Sequence, residues 1–194
     1  MLAAWLKESH GSIGMMKAIN LERYPASLAA LIDPNRVMPL DDGEGEGPVP
    51  AQLDSIDESV VGPAIGDRDM ARACVAGLLL LYDRLEASHR VSQGIETQTG
   101  SYWHMIMHRR EPDYGNCRYW CRRTGEHPIF PRLLDRAGEL AAEHGAIGES
   151  AALVEDDRWR PEGFVDLVER ATGGEEAVVR VRLERSGALA EPPR

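Results

Sequence analysis

The sequence predicts a mostly α-helical fold, in which several helices pack around a central buried helix at about residues 67–90, behind an irregular N-terminal region. Three observations support this. Met70, Cys74, Leu78, Leu81 and Leu85 recur at three- or four-residue steps, while Val75, Leu79, Leu80 and Tyr82 add apolar surface on other faces. A helix apolar nearly all round is a buried one. Residues suited to helix starts and stops punctuate the chain from Asp67 to Gly145. The clearest strand-like alternation, Val179, Val181 and Leu183, has no second strand to pair with.

Taken in order, residues 1–40 give weak helical patterns around Ala3–Lys7 and Leu28–Ile32. Residues 41–50, DDGEGEGPVP, are acidic and rich in Gly and Pro, which reads as a flexible linker or exposed loop. Residues 1–60 therefore form a preliminary region and residues 61–194 a single helical domain. Asp67 is a good N-cap for the central helix, whose end near Ser88–His89–Arg90 leads into a loop containing Gly94 and Gly100. A short helix is expected over Tyr102–Arg110, because Pro112 disfavours helical geometry at Glu111. Asp113 caps a second, Tyr114–Thr124, stopped by Gly125. Pro128 and Pro131 precede a third, Leu133–His144, stopped by Gly145. Pro161–Ala171 reads as helix, and for Glu175–Leu183 helix is preferred over strand.

The charge of −10 argues against general affinity for nucleic acid or an anionic membrane. It is unevenly spread. Residues 101–132 carry six Arg against Glu111, Asp113 and Glu126, a net +3, which leaves −13 for the rest. A basic island of this size suits a small anion or an internal carboxylate better than a polyanion. Cys74, Cys117 and Cys121 form no even-numbered disulfide framework, so a reducing compartment is expected. With no signal-peptide pattern and no apolar run long enough for a bilayer, the expected location is the cytoplasm.

Chemistry-bearing residues concentrate in Ser101–Phe130, which holds two of the four Trp, three of the six His and five Arg. On a helical wheel Trp103, Ile106 and Met107 share one face, His104, His108 and Glu111 the adjacent one, and Arg109 points away from both. Two His one turn apart can bind one metal through ring nitrogens, and a third ligand would come from His89, Glu96, Glu111, Asp113 or His127. Zinc, iron and manganese are the candidate ions. The spacing lacks the Glu of HExxH, which excludes the zincin pattern. The alternative is that His104 and His108 are hydrogen-bonded residues at a helix–helix contact, with His89 a satisfied histidine near a helix end. Arg118 and Arg122 share a face of the second helix, opposite Cys117, Trp120, Cys121 and Thr124. Arg109, Arg110 and Arg122 could bind a small anion, with Tyr102, Tyr119 and His127 beside it, or pair internally with Glu96, Glu111 and Asp113. Cys117 and Cys121 read as small hydrophobes. No GxGxxG, Walker loop or GxSxG elbow is present.

Ser88–His89, Gln93, Glu96, the block Tyr102-Trp103-His104 through Met107-His108-Arg109-Arg110-Glu111-Pro112-Asp113, then Asn116, Tyr119-Trp120, Arg122-Arg123, Gly125, His127-Pro128 and Phe130 resemble a family of uncharacterised bacterial proteins with fungal relatives. The resemblance covers roughly a third of the chain, Asp67–Phe130. That family has an aromatic residue where this chain has Cys121, which weakens any metal role for Cys121. It brings no activity with it; it implies that these polar residues form one unit.

Two functions compete. One is a small-molecule enzyme. In it His89, His104 and His108 hold a divalent metal or act as acid and base, Glu96 or Glu111 carries protons, and the arginines orient an anionic substrate. The other is a non-catalytic helical module whose His, Arg and aromatic residues form a polar network or partner surface. An open pocket at His104 would favour the enzyme. A site plugged by Tyr119 and Trp120 with its arginines paired would favour the module.

Overall fold

Asp67 begins the helical body: its carboxylate accepts the Met70 amide and caps helix α2, Arg68–Leu81. A computed structural model describes residues 21–63, 65–143, 153–155 and 157–172 of the chain. Among them are seven α-helices: α1 (Ala26–Ala29), α2, α3 (Leu85–Ser92), α4 (Gln98–Arg110), α5 (Tyr114–Thr124), α6 (Phe130–Glu143) and α7 (Pro161–Thr172). The fold is mostly α. The expected helices at Ala3–Lys7 and Glu175–Leu183, and the end of the third at His144, lie outside the described residues.

The apolar pattern of α2 is explained by what lies on its two sides. Ala73, Ala76 and Leu80 join the larger apolar cluster with Trp103, Ile106 and Met107 of α4. Leu78, Leu81 and Tyr82 join a second cluster with Leu28, Leu31, Ile32 and Leu53. The residues before 61 thus share a core with α2. Where α2 meets α4, a Cβ on Gly77 would lie 2.7 Å from the Trp103 ring, so only glycine allows this approach.

The stretch expected as one helix at 67–90 is two. The chain leaves α2 at Tyr82 and turns at Asp83, whose φ of 62° is left-handed. The Asp83 carboxylate takes hydrogen bonds from Arg36, Arg110 and the Gly45 amide, and these long-range bonds hold the turn. The same knot governs the acidic segment. Arg110 donates to the carbonyls of Asp41, Gly43 and Leu80, and Arg36 to those of Glu46 and Leu81. Residues 41–47 are therefore a strap tied to the ends of α2 and α4, rather than a linker that swings freely.

Helix α4 starts earlier than Tyr102. Thr97 caps it through the Gly100 amide, and Gly100 lies inside the helix, where a Cβ would come 2.3 Å from the Ile95 carbonyl oxygen. The helix ends where expected, at Arg110. Asp113 then accepts the Asn116 amide to cap α5, which Gly125 ends at φ 59°. Helix α6 begins at Phe130, with Pro131 in its first turn, where proline sacrifices no hydrogen bond. A short antiparallel pair, β1 (Val154–Glu155) and β2 (Arg158–Trp159), brings Trp159 against Phe164 of α7. No described helix is long and apolar enough to cross a membrane.

Candidate metal centre

Helices α3 and α4 both pack on α2, and their facing sides bring three imidazoles together. Ser88 fastens α3 by donating from Oγ to the Ala76 carbonyl. His89 follows it. On α4 the four-residue spacing sets His104 and His108 on one face, one turn apart. The ring centroids lie 4.7 Å apart for His89–His104, 4.8 Å for His104–His108 and 5.3 Å for His89–His108. One nitrogen from each ring can be chosen so that all three lie within 4.8 Å of one another. Tetrahedral zinc at 2.0–2.1 Å from nitrogen needs ligand separations of about 3.4 Å. Closing the widest gap by roughly 1.4 Å, shared among three side chains, would complete a metal shell.

The site is desolvated. His104 is 3% exposed and His108 7%. The Trp120 indole stacks on His104 at 4.0 Å, and the Arg123 guanidinium lies 5.2 Å from the Trp120 ring on α5. Burial, reinforced by neighbouring His108 and His89, pushes the His104 pKa down to about 3. Burial also lowers that of His108, against the pull of Asp113. Both rings thus stay neutral near pH 7 and keep a lone pair for a metal. His108 Nδ1 is buried without a hydrogen-bond partner, 3.8 Å from Glu111 and 3.7 Å from Asp113. An orphaned buried nitrogen costs about 1–3 kcal/mol, so something outside the fold must account for it.

The more open side of the cluster is acidic. Glu111 and Asp113 are partly exposed there. Partial burial raises the Glu111 carboxyl above its ordinary range; His89 opposes this, and Glu86 and Asp113 add to it. Hydrogen bonds from the Asn116 side chain and amide hold the Asp113 carboxyl below its ordinary range. Such a rim attracts cations, and Glu111 has the character of a proton carrier.

Other expected site residues lie elsewhere. Glu96 is exposed before the α4 cap and does not join the cluster. His127 does not join either: it hydrogen-bonds Thr99 at 3.1 Å and stacks on buried Tyr102 at 4.9 Å. Arg109, expected to point away, is buried; it donates to the Leu40 carbonyl and lies 5.2 Å from the Phe164 ring. Arg110 is fully buried in the Asp83 knot. Neither arginine can reach a substrate, because the fold has used their donors. Arg122 and Tyr119 lie exposed on α5. Tyr102 and Arg109 instead line an apolar cavity of about 30 Å³ with Met105, Cys117 and Phe164, far below the roughly 300–1,000 Å³ of small-molecule sites. Trp120, Asp113 and Ser92 belong to the site but were not read from the sequence as its wall and supports. Their signals were present: Trp120 on the inner face of α5, Asp113 five residues past His108, and Ser92 three past His89.

No family model, curated protein or solved structure matches this chain, so the reading of the site rests on its own geometry.

Proposed function

We propose that this protein is a metal-dependent enzyme acting on small molecules, with a divalent ion (zinc, iron or manganese) held by His89, His104 and His108. The reaction class is metal-assisted hydrolysis or related acid–base chemistry. The observation that carries this is the convergence of three imidazoles, two of them on one helix face, beside a buried His108 nitrogen that the fold leaves unpaired. Three neutral protein ligands leave a coordination position for water, as catalytic zinc sites do. The ion would lower the pKa of that water, and Glu111 would carry its proton. An anionic substrate would be drawn by the ion, whose charge outweighs neutral imidazoles, and not by Arg109 or Arg110. Three unpaired cysteines accord with a reducing cytoplasmic setting.

A second reading is favoured by one observation: Trp120 covers His104, and the best-formed cavity lies on the other side of α4. On this reading the cluster is the polar core of a non-catalytic helical module. Elemental analysis of untagged protein beside a His104→Ala/His108→Ala variant separates the two. Stoichiometric metal in the native protein, lost in the variant, with metal-dependent turnover of carboxylate or phosphate esters, is the expected result. Native protein without metal, and inert toward these esters when metal is added, would overturn the enzyme and favour the module.

A further inference from the structure

We infer that Ser92 and Asp113 are positioning residues, fixing His104 and His108 in the Nδ1–H tautomer so that Nε2 of each ring carries the lone pair offered to a metal. The inference rests on the three-histidine reading above, and it follows from counting protons.

Ser92 is almost fully buried, so its single hydroxyl proton must be satisfied within the protein. It donates to the His89 carbonyl at 3.3 Å. The same oxygen lies 3.4 Å from His104 Nδ1. With its proton committed, Ser92 Oγ can only accept from that nitrogen. His104 therefore carries hydrogen on Nδ1, and its lone pair is on Nε2. Ser92 thereby ties together two of the proposed ligands, the backbone of His89 and the ring of His104.

Asp113 serves His108 in the same way. Both its oxygens are fixed: Oδ1 accepts the Asn116 amide at 3.1 Å, and Oδ2 accepts the Asn116 side-chain nitrogen at 2.7 Å. Oδ2 faces His108 Nδ1 at 3.7 Å, with Glu111 Oε2 at 3.8 Å. A carboxylate only accepts, so the orphaned His108 nitrogen is matched to it as an N–H. A ring shift of a few tenths of an ångström would complete the bond. Carboxylate or hydroxyl behind the outer nitrogen of a ligating histidine fixes its orientation and raises its basicity. Asp113 thus has two roles from one carboxylate: it caps α5 and sets the ring of a residue on α4.

Long-range 1H–15N spectra of metal-free, 15N-histidine-labelled protein read the tautomers directly. Nδ1–H at His104 and His108 is expected. In Ser92→Ala the His104 pattern should shift toward a tautomer mixture. In Asp113→Ser, which keeps a good helix cap but withdraws the carboxylate, His108 should do so. Zinc competition titrations on the same folded variants should show roughly 10- to 100-fold weaker binding for each. Nε2–H at either ring of the native protein would overturn the inference, whether or not zinc binds. Unchanged tautomers and unchanged zinc affinity in both variants would overturn it too. Nδ1–H in both rings with no zinc binding would support the tautomer assignment and overturn the metal reading instead.

Discussion

Two buried polar clusters lie two residues apart at the end of α4, and they are built on opposite principles. At Arg110 the guanidinium meets three carbonyls and the Asp83 carboxylate, while Arg36 approaches the same carboxylate from the strap. At His108 the ring nitrogen nearest the carboxylates has no partner, and the imidazoles beside it are neutral by desolvation. One cluster satisfies its donors and holds the chain; the other leaves coordinating atoms free. Buried polar groups are normally paired, so an orphan is the more informative of the two for function, and the knot for fold. The contrast also explains why a run of two arginines beside two histidines is not one binding site.

The largest effect should come from the knot. Asp83→Asn keeps a residue that tolerates the left-handed turn but strips the charge facing two buried guanidiniums. Breaking a buried pair by removing one partner costs about 3–5 kcal/mol, so urea denaturation should show a loss of that order. Arg110→Met should lose less, since Arg36 would still face Asp83. A loss under about 1 kcal/mol for Asp83→Asn would place the knot among surface pairs and erase the comparison.

Next comes acidity. The native His104 and His127 pKa values are depressed to about 3 and about 4, His127 chiefly by burial. The unfolded chain therefore binds protons between pH 6.5 and these values that the folded chain does not. Stability of the metal-free protein should be complete above about pH 6.5 and fall as pH drops toward 4, with His127 alone accounting for something on the order of 3 kcal/mol. His127→Gln should flatten the profile in that window. An unchanged slope would contradict the burial of this imidazole.

Smaller still is the effect of His108→Leu on the metal-free fold. It removes an unpaired nitrogen from a buried position, so stability should change by less than about 1 kcal/mol, while zinc affinity falls at least about 100-fold. A loss like that of Asp83→Asn would mean that His108 is structural after all. The smallest change is expected for Trp120→Phe, which keeps an aromatic ring over His104. Its zinc affinity should stay within about threefold of native by competition titration, since the stack shields the ligands and does not coordinate.

Much of the local structure was legible because its causes are local. Asp113 capping and Gly125 ending α5, and the His104–His108 stripe on α4, follow from residues three or four apart. What was not legible has distant causes. The break at Asp83 depends on Arg36 and Arg110, 47 and 27 residues away, which hold a turn that the apolar pattern runs straight through. Gly100 read as a loop residue because its tight packing on Ile95 is invisible to periodicity. The two-residue strands β1 and β2 are too short to alternate. Arg109 and Arg110 carried a charge that suggested a substrate, and only burial shows that the protein's own carbonyls use it. His89 joins the histidines of α4 through the packing of α3 against α4, which no spacing along the chain records.

The most direct measurement is X-ray absorption at the zinc edge of protein loaded with one equivalent of zinc. The expected spectrum shows a first shell at about 2.0–2.1 Å with the outer-shell scattering of three imidazoles, reduced in His89→Ala. A first shell of water and carboxylate oxygen alone, or of sulfur, would contradict a metal centre on His89, His104 and His108.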